Sequence, residues 1–180
     1  MFLLMKDAEK GVLDVIYRRR SIRVFAAGSV GDEEIKSLFE AAMAAPSAAA
    51  KDPWRFVVVR DRHTLKRVAS VLPNGTMIAE AALGIVVCGD LEAAHDRQLS
   101  YLLQDCGAAI ENLLLAASMM GLGACWLGVH PREERVRKVA DMFGLPAAVI
   151  PVAVIALGRP GETKEARTRY NPAFVHQERW

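Results

Sequence analysis

Three cysteines in 180 residues, none of them in a CxxC pair, leave this sequence without a disulfide framework. Cys88, Cys106 and Cys125 stand among apolar or small residues, which reads as buried, reduced thiols of a cytoplasmic protein and argues against a catalytic cysteine. The four histidines (His63, His95, His130 and His176) show no metal-ligand spacing, so neither a zinc nor an iron centre is expected. There is no GxGxxG and no GxxxxGK[ST], which removes the usual dinucleotide and phosphate loops. No hydrophobic run is long enough to span a bilayer. The apolar start Met1–Lys6 has no basic n-region and no small-residue cleavage site, so it is not read as a secretory signal. Excess charge of one sign is missing too. With 23 Lys plus Arg against 21 Asp plus Glu, the net charge is only +2, which speaks against a general nucleic-acid or membrane binder.

What is present is an ordinary globular composition, 52% hydrophobic and 24% charged, in a chain long enough for one domain with its own core. Residues 1–180 are read as a single domain in which helix and strand patterns alternate. Helical spacing runs from Gly11 to Arg20, with Val12, Val15 and Ile16 on one face. A short strand at Val24–Phe25 follows. Asp32 reads as the N-cap of a helix to about Ala45, halted by Pro46. Strands are expected at Trp54–Arg60, Leu83–Cys88, Ala124–Val129 and Pro151–Leu157. Between them come helices over Thr64–Val71, roughly Asp96–Met120, and a last one with Pro131 in its first turn that stops at Gly144. From Gly107 to Met120 the long helix is apolar almost all round, which places it centrally or in a subunit interface. Residues 159–180 form a polar extension that cannot make a core alone and is expected to lie across another surface, such as a partner subunit.

Four stretches are candidates for chemistry. RRRSIRVF sets Arg18, Arg19, Arg20 and Arg23 around one hydroxyl, Ser21. Forked guanidinium donors and a hydroxyl suit phosphate oxygens, and free N–H groups past a helix end can join them. A solvated helix terminus with cations set against the dipole explains Arg18–Arg20 equally well, though Arg23 less so. APSAAAKDPW (Ala45–Trp54) is a small-residue loop where a flat ligand can approach backbone, or an ordinary connector. Gly121–Gly128 can expose backbone N–H groups, or merely stop a helix. Arg167, Arg169, Tyr170 and His176 lie in the tail, which also reads as a loosely ordered terminus. Asp105 is read as a buried, paired, structural acid.

The order and spacing of five segments resemble the FMN-dependent nitroreductase family, in particular its small single-domain members. They are RRRSIRVF, APSAAAKDPWRFVVV, the strand GIVVCGD, the helix and strand DCGAAIENLLLAASMMGLGACWLGV, and PVAVIALGRP with the closing RTRYNPAFVHQERW. The resemblance implies an α+β fold: an α/β/α sandwich on a mixed, mainly antiparallel sheet, forming an intertwined homodimer with two FMN sites. It implies that Arg19, Arg20 and Ser21 bind the phosphate and ribityl chain, that Arg23 reaches the ring near N1 and O2, and that Arg167 or Arg169 adds phosphate contacts. Pro46 and Ser47, with Ala48 and Ala50, match residues that approach the flavin from the other subunit, and Gly123 and Ala124 match a backbone segment beside the ring. Ala50 and Asp52 stand where the family often has Asn and Gln, so the contacts at the polar edge of the flavin differ. The implied activity is NAD(P)H oxidation through FMN, with nitroaromatic, quinone or related acceptors and no metal. The alternatives are a flavin carrier or sensor with little turnover, and a specialised dehalogenating or desaturating member.

Overall fold

The computed structural model describes residues 7–180, the first six of these as backbone only. The start Met1–Lys6 and the side chain of Val12 lie outside that description. Among these residues five α-helices and five strands alternate: α1 (Asp7–Arg18), β1 (Phe25–Ala26), α2 (Asp32–Met43), β2 (Trp54–Val59), α3 (Arg62–Val71), β3 (Leu83–Asp90), α4 (Leu99–Met119), β4 (Gly123–Gly128), α5 (Glu133–Phe143) and β5 (Val149–Pro160).

The strands form one sheet with β5 as its hub. β5 pairs with β3 along most of its length, with β4 through residues 153–158, and at its far end with β1; β2 pairs with β3. Every one of these pairings is antiparallel, and the one parallel contact among the described residues is the bridge Ser21–Ala124. β3 and β5 are apolar on both sides because each side is covered. Leu83, Ile85, Val87, Ile155 and Leu157 face one core with α2 and α4, whereas Val86, Cys88, Val154 and Ala156 face a second with α3 and α5. The result is the expected helix–sheet–helix sandwich. α4 lies directly on β3: a Cβ at Gly89 would stand 2.3 Å from the Leu102 side chain, so glycine sets how closely the helix approaches.

Helix ends follow local chemistry, with four departures from the sequence reading. Gly31, not Asp32, caps α2; its N–H donates to Glu34 Oε2 at 2.9 Å, while Asp32 is the first helical residue and pairs with Arg60 at 2.5 Å. α3 begins at Arg62, because Asp61 accepts the Thr64 N–H at 2.7 Å as its N-cap. Pro131 precedes α5, whose first turn starts at Glu133 after the cap residue Arg132. α4 starts at Leu99, since Asp96 and Arg97 have left-handed backbone (φ 49° and 52°). It is shorter than read, 21 residues, but its apolar girth is as read, with Leu102, Cys106, Ile110, Leu113 and Ala117 buried.

Candidate functional site

The arginine cluster lies where α1 gives way to the sheet. The chain leaves α1 at Arg18 and runs past β4, where the Ile22 N–H donates to Ala124 O at 3.0 Å. Gly123 makes this closeness possible, since a Cβ there would lie 2.8 Å from Ile22 Cγ2 and 3.3 Å from the Pro160 Cα. The segment after β5 then closes along the same stretch. The Arg23 and Val24 N–H groups donate to Glu162 Oε1 at 2.5 and 3.2 Å, Gly161 N–H to Val24 O at 2.8 Å, Lys164 Nζ to Ser21 O at 2.7 Å, and Arg167 N–H to Tyr17 O at 3.1 Å. Arg20 Nη1 donates to Glu165 O. Two segments about 140 residues apart in the chain thus lie side by side.

Their guanidiniums converge. A cleft of about 320 Å³ is lined by Arg19, Arg20, Arg167 and Arg169 with Ile16, Tyr17 and Thr168. Arg19 holds Glu111 of α4 at 3.0 Å, whereas Arg20, Arg167 and Arg169 make no salt bridge among the described residues. Four cations that share one carboxylate leave a positive field for an external anion. A second cleft of about 210 Å³ opens from Arg18–Arg20 toward Leu114, Ser118 and Ala124, with Lys164 on its rim. Glu162 there is held below the usual carboxylate range, chiefly by the Arg23 N–H and then by Lys164.

Arg23 points to a different place. Its side chain lines a third cleft, about 170 Å³, with Asn74 and Gly75 from the turn after α3, Cys125–Gly128 of β4, and Arg135 of α5. Arg135 donates to Gly128 O at 3.1 Å, and neither arginine has a carboxylate partner among the described residues. Burial pushes the Cys125 thiol up, against the pull of Arg23, so it is no nucleophile. Burial takes Cys88 and Cys106 to about 12. Asn74 and Arg135 were not singled out in the sequence; each comes from a separate element, and no local pattern announces that they meet.

The remaining predicted residues are elsewhere. None of Pro46, Ser47, Ala48 and Ala50 lines any of these three clefts. They form the loop between α2 and β2, where the Ala48 N–H donates to Asp105 of α4 at 2.9 Å. Within one chain, therefore, Arg19, Arg20, Ser21, Ala124, Arg167 and Arg169 come together, Gly123 and Arg23 adjoin them, and the Pro46–Ala50 loop stays apart. Among the described residues no cluster of His, Cys, Asp or Glu side chains is placed to hold a metal ion, and no helix is long and apolar enough to cross a membrane.

Known proteins are similar to this chain in sequence and in fold. The profile of the Nitroreductase family matches residues 16–72 and 70–159. A protein of Archaeoglobus fulgidus, provisionally named NADH dehydrogenase/NAD(P)H nitroreductase, is 43% identical over 93% of this chain and 98% of its own. The crystal structure of a Parabacteroides distasonis protein with the same provisional name superimposes with a TM-score of 0.88 at 38% identity, covering 94% of this chain and 99% of that one. A provisionally named nitroreductase of Desulfovibrio desulfuricans, solved in complex with FMN, has a TM-score of 0.81 and 33% identity, covering 94% of this chain and 97% of that one. On its fold, its cation cluster and these likenesses together, the chain belongs to the nitroreductase family.

Proposed function

We propose that the protein is a homodimeric, FMN-dependent NAD(P)H oxidoreductase that reduces nitroaromatic, quinone or related acceptors. The observation that carries this is the meeting of Arg19 and Arg20 with Arg167 and Arg169 around one cleft. Such a set fits a dianionic phosphate monoester, with forked donors on several sides. Arg23 and Arg135 fit the other end of the cofactor: a cleft beside the β4 backbone, with two cations where negative charge is to be favoured.

FMN, when bound, supplies hydride transfer between NAD(P)H and the acceptor. The chain's own residues bind, orient and polarise. Arg19, Arg20, Arg167 and Arg169 anchor the phosphate, with Ser21 beside them on the β4 edge. Arg23 supplies positive field at the ring end. No side-chain nucleophile or general base is required.

The second subunit enters because one chain makes too little of the pocket. The ring-end cleft is about 170 Å³, below the roughly 300 Å³ from which small-molecule pockets begin. The Pro46–Ala50 loop lies outside the three clefts, and apolar side chains such as Ile16 on α1, Met119 on α4 and Phe174 in the tail stand exposed, where a second copy can cover them. Met119 is 69% and Phe174 78% exposed. The single-domain reading of residues 1–180, with the tail from about 159 reaching toward the partner, belongs to the same proposal, as does a cytoplasmic setting for its three unpaired thiols.

The test is spectral. Purified protein reconstituted with FMN should show bound-flavin absorbance that NADH or NADPH bleaches without oxygen and that an added nitroaromatic or quinone restores. Protein that takes up no FMN sinks the proposal. Uptake without bleaching favours the carrier or sensor alternative, for which Asp52 is the specific observation. Its carboxylate is engaged with Ser47 Oγ at 2.5 Å in place of an amide at that edge.

A further inference from the structure

The loop between α2 and β2 holds a shape its residues do not favour. Ala49, Ala50 and Asp52 all have left-handed backbone, with φ of 50°, 51° and 48°. Side chains with a Cβ rarely adopt that conformation, and it persists only where surrounding contacts over-determine it. Three contacts do so here. Ser47 Oγ donates to Asp52 Oδ1 at 2.5 Å and accepts the Asp52 N–H at 3.0 Å. Arg55 Nη1 donates to Asp52 O at 3.2 Å. The Ala48 N–H donates to Asp105 Oδ1 at 2.9 Å.

The first two contacts stay within the loop and the strand it enters; Asp105 ties the Pro46–Ala50 part to α4, while the loop's far end is held by the Asp90 N–H of β3, which donates to Pro53 O at 2.8 Å. Asp105 is an odd residue for a core helix. It is 5% exposed, and its Oδ2 has no hydrogen-bond partner among the described residues. A buried carboxylate with one oxygen unpartnered is costly, and an apolar side chain of similar size would pack there at less cost. What an apolar side chain could not do is accept the Ala48 N–H.

We propose that Asp105 is the positioning residue of the Pro46–Ala50 loop: a buried acceptor on α4 that fixes the loop so that it meets the flavin of the second subunit already in shape. It touches neither cofactor nor substrate and acts through Ala48. This rests on the dimeric FMN reading above. Preorganising the loop means that its ordering is not charged against binding.

The experiment compares wild type, Asp105→Asn and Asp105→Leu. FMN affinity is read by flavin fluorescence titration, and exchange of the Ala48 amide is read in FMN-free protein. The Asn side chain keeps an acceptor oxygen without the charge, whereas Leu keeps size and loses the acceptor. Asp105→Leu should bind FMN about tenfold more weakly and exchange the Ala48 amide about tenfold faster, the scale of one charge-assisted hydrogen bond released from a loop; Asp105→Asn should stay within about threefold of wild type on both. If Asp105→Leu does not fold, Ala48→Pro removes the same bond from the loop side and leaves α4 intact. The extended backbone of Ser47 (φ −136°, ψ 156°) accepts a following proline. That variant should weaken FMN by a like factor.

A folded Asp105→Leu or Ala48→Pro protein with wild-type FMN affinity would overturn the inference. So would a variant whose melting temperature alone changes, because that is the mark of a merely structural acid. Should wild type itself bind no FMN, the functional proposal fails while the exchange arm still decides the anchor: equal Ala48 exchange in wild type and Asp105→Leu refutes it.

Discussion

Arginine is the residue that gives this site its character, and its copies are not equivalent. Arg19 is shared between the four-arginine cleft and Glu111, so its guanidinium is held in place before any ligand arrives. Arg19→Ala should weaken FMN binding by about 1–3 kcal/mol, the usual scale for a charged hydrogen bond, and titration of the apoprotein would show it. Unchanged affinity would mean that the cleft holds something else. Arg23 lines the cleft beside β4 with Arg135, away from Arg167 and Arg169, at what the proposal makes the ring end. Its removal should therefore leave affinity largely intact and lower the midpoint potential of bound flavin, because a cation near the reduced ring is lost. Spectroelectrochemistry separates the two variants, and a potential equal to wild type for Arg23→Ala would place its side chain outside the ring's field. The cation cluster was legible in the sequence because four arginines fall within six residues. Asn74 and Arg135 were not, since their meeting with Arg23 is a fact of tertiary packing. Asp105 was legible as a buried acid but not as an anchor, because that role depends on the backbone shape of a loop 57 residues away.

At the level of elements, the strands were readable because each side of the sheet is buried, which turns β3 and β5 into near-continuous apolar runs. β5 nonetheless runs from Val149, two residues before the expected Pro151. Pro151 fits because the β3–β5 register shifts there: Val87 faces Ala153 and Cys88 faces Pro151. A residue without an N–H is tolerated where the ladder is interrupted. At its far end β5 carries Arg159, whose Nη1 and Nη2 grip both oxygens of Glu34 in α2 at 2.9 Å. The Gly31 N–H and then Arg159 hold the Glu34 carboxyl below its ordinary value of 4.5. A carboxylate with a lowered folded value contributes stability above the unfolded value and loses it as pH falls through the folded one. Glu34→Gln should therefore cost about 1 kcal/mol at neutral pH, allowing for solvent screening of a partly exposed pair. The difference from wild type should shrink once the pH drops below 4.5, as denaturant melts across that range would record. A gap that persisted unchanged into strong acid would show that the pair's charge does not hold α2 against β5.

Taken whole, the molecule places its four-arginine cleft and its Pro46–Ala50 loop in separate regions, and this separation makes a strong prediction about assembly. In a two-fold dimer that completes each site with the partner's loop, the arginines and the loop of any one chain belong to different sites. Take Arg19→Ala as one variant and Ala48→Pro as the other, each weak in FMN binding when alone. Unfolded together and refolded, they would form heterodimers in which one site carries both lesions and the other carries none. With random pairing, about a quarter of all sites regain full affinity, a fraction fixed by the isologous symmetry and independent of how severe either lesion is. Chains that completed their sites alone would regain nothing on mixing, since every site would keep its own lesion. Flavin fluorescence of the mixture against the two separate proteins reads the outcome directly, and sedimentation at the same concentration checks that dimers are present. Recovery near a quarter requires the loop to act in the other subunit's site; no recovery in demonstrable heterodimers would return the loop to its own chain and remove the reason for the interface.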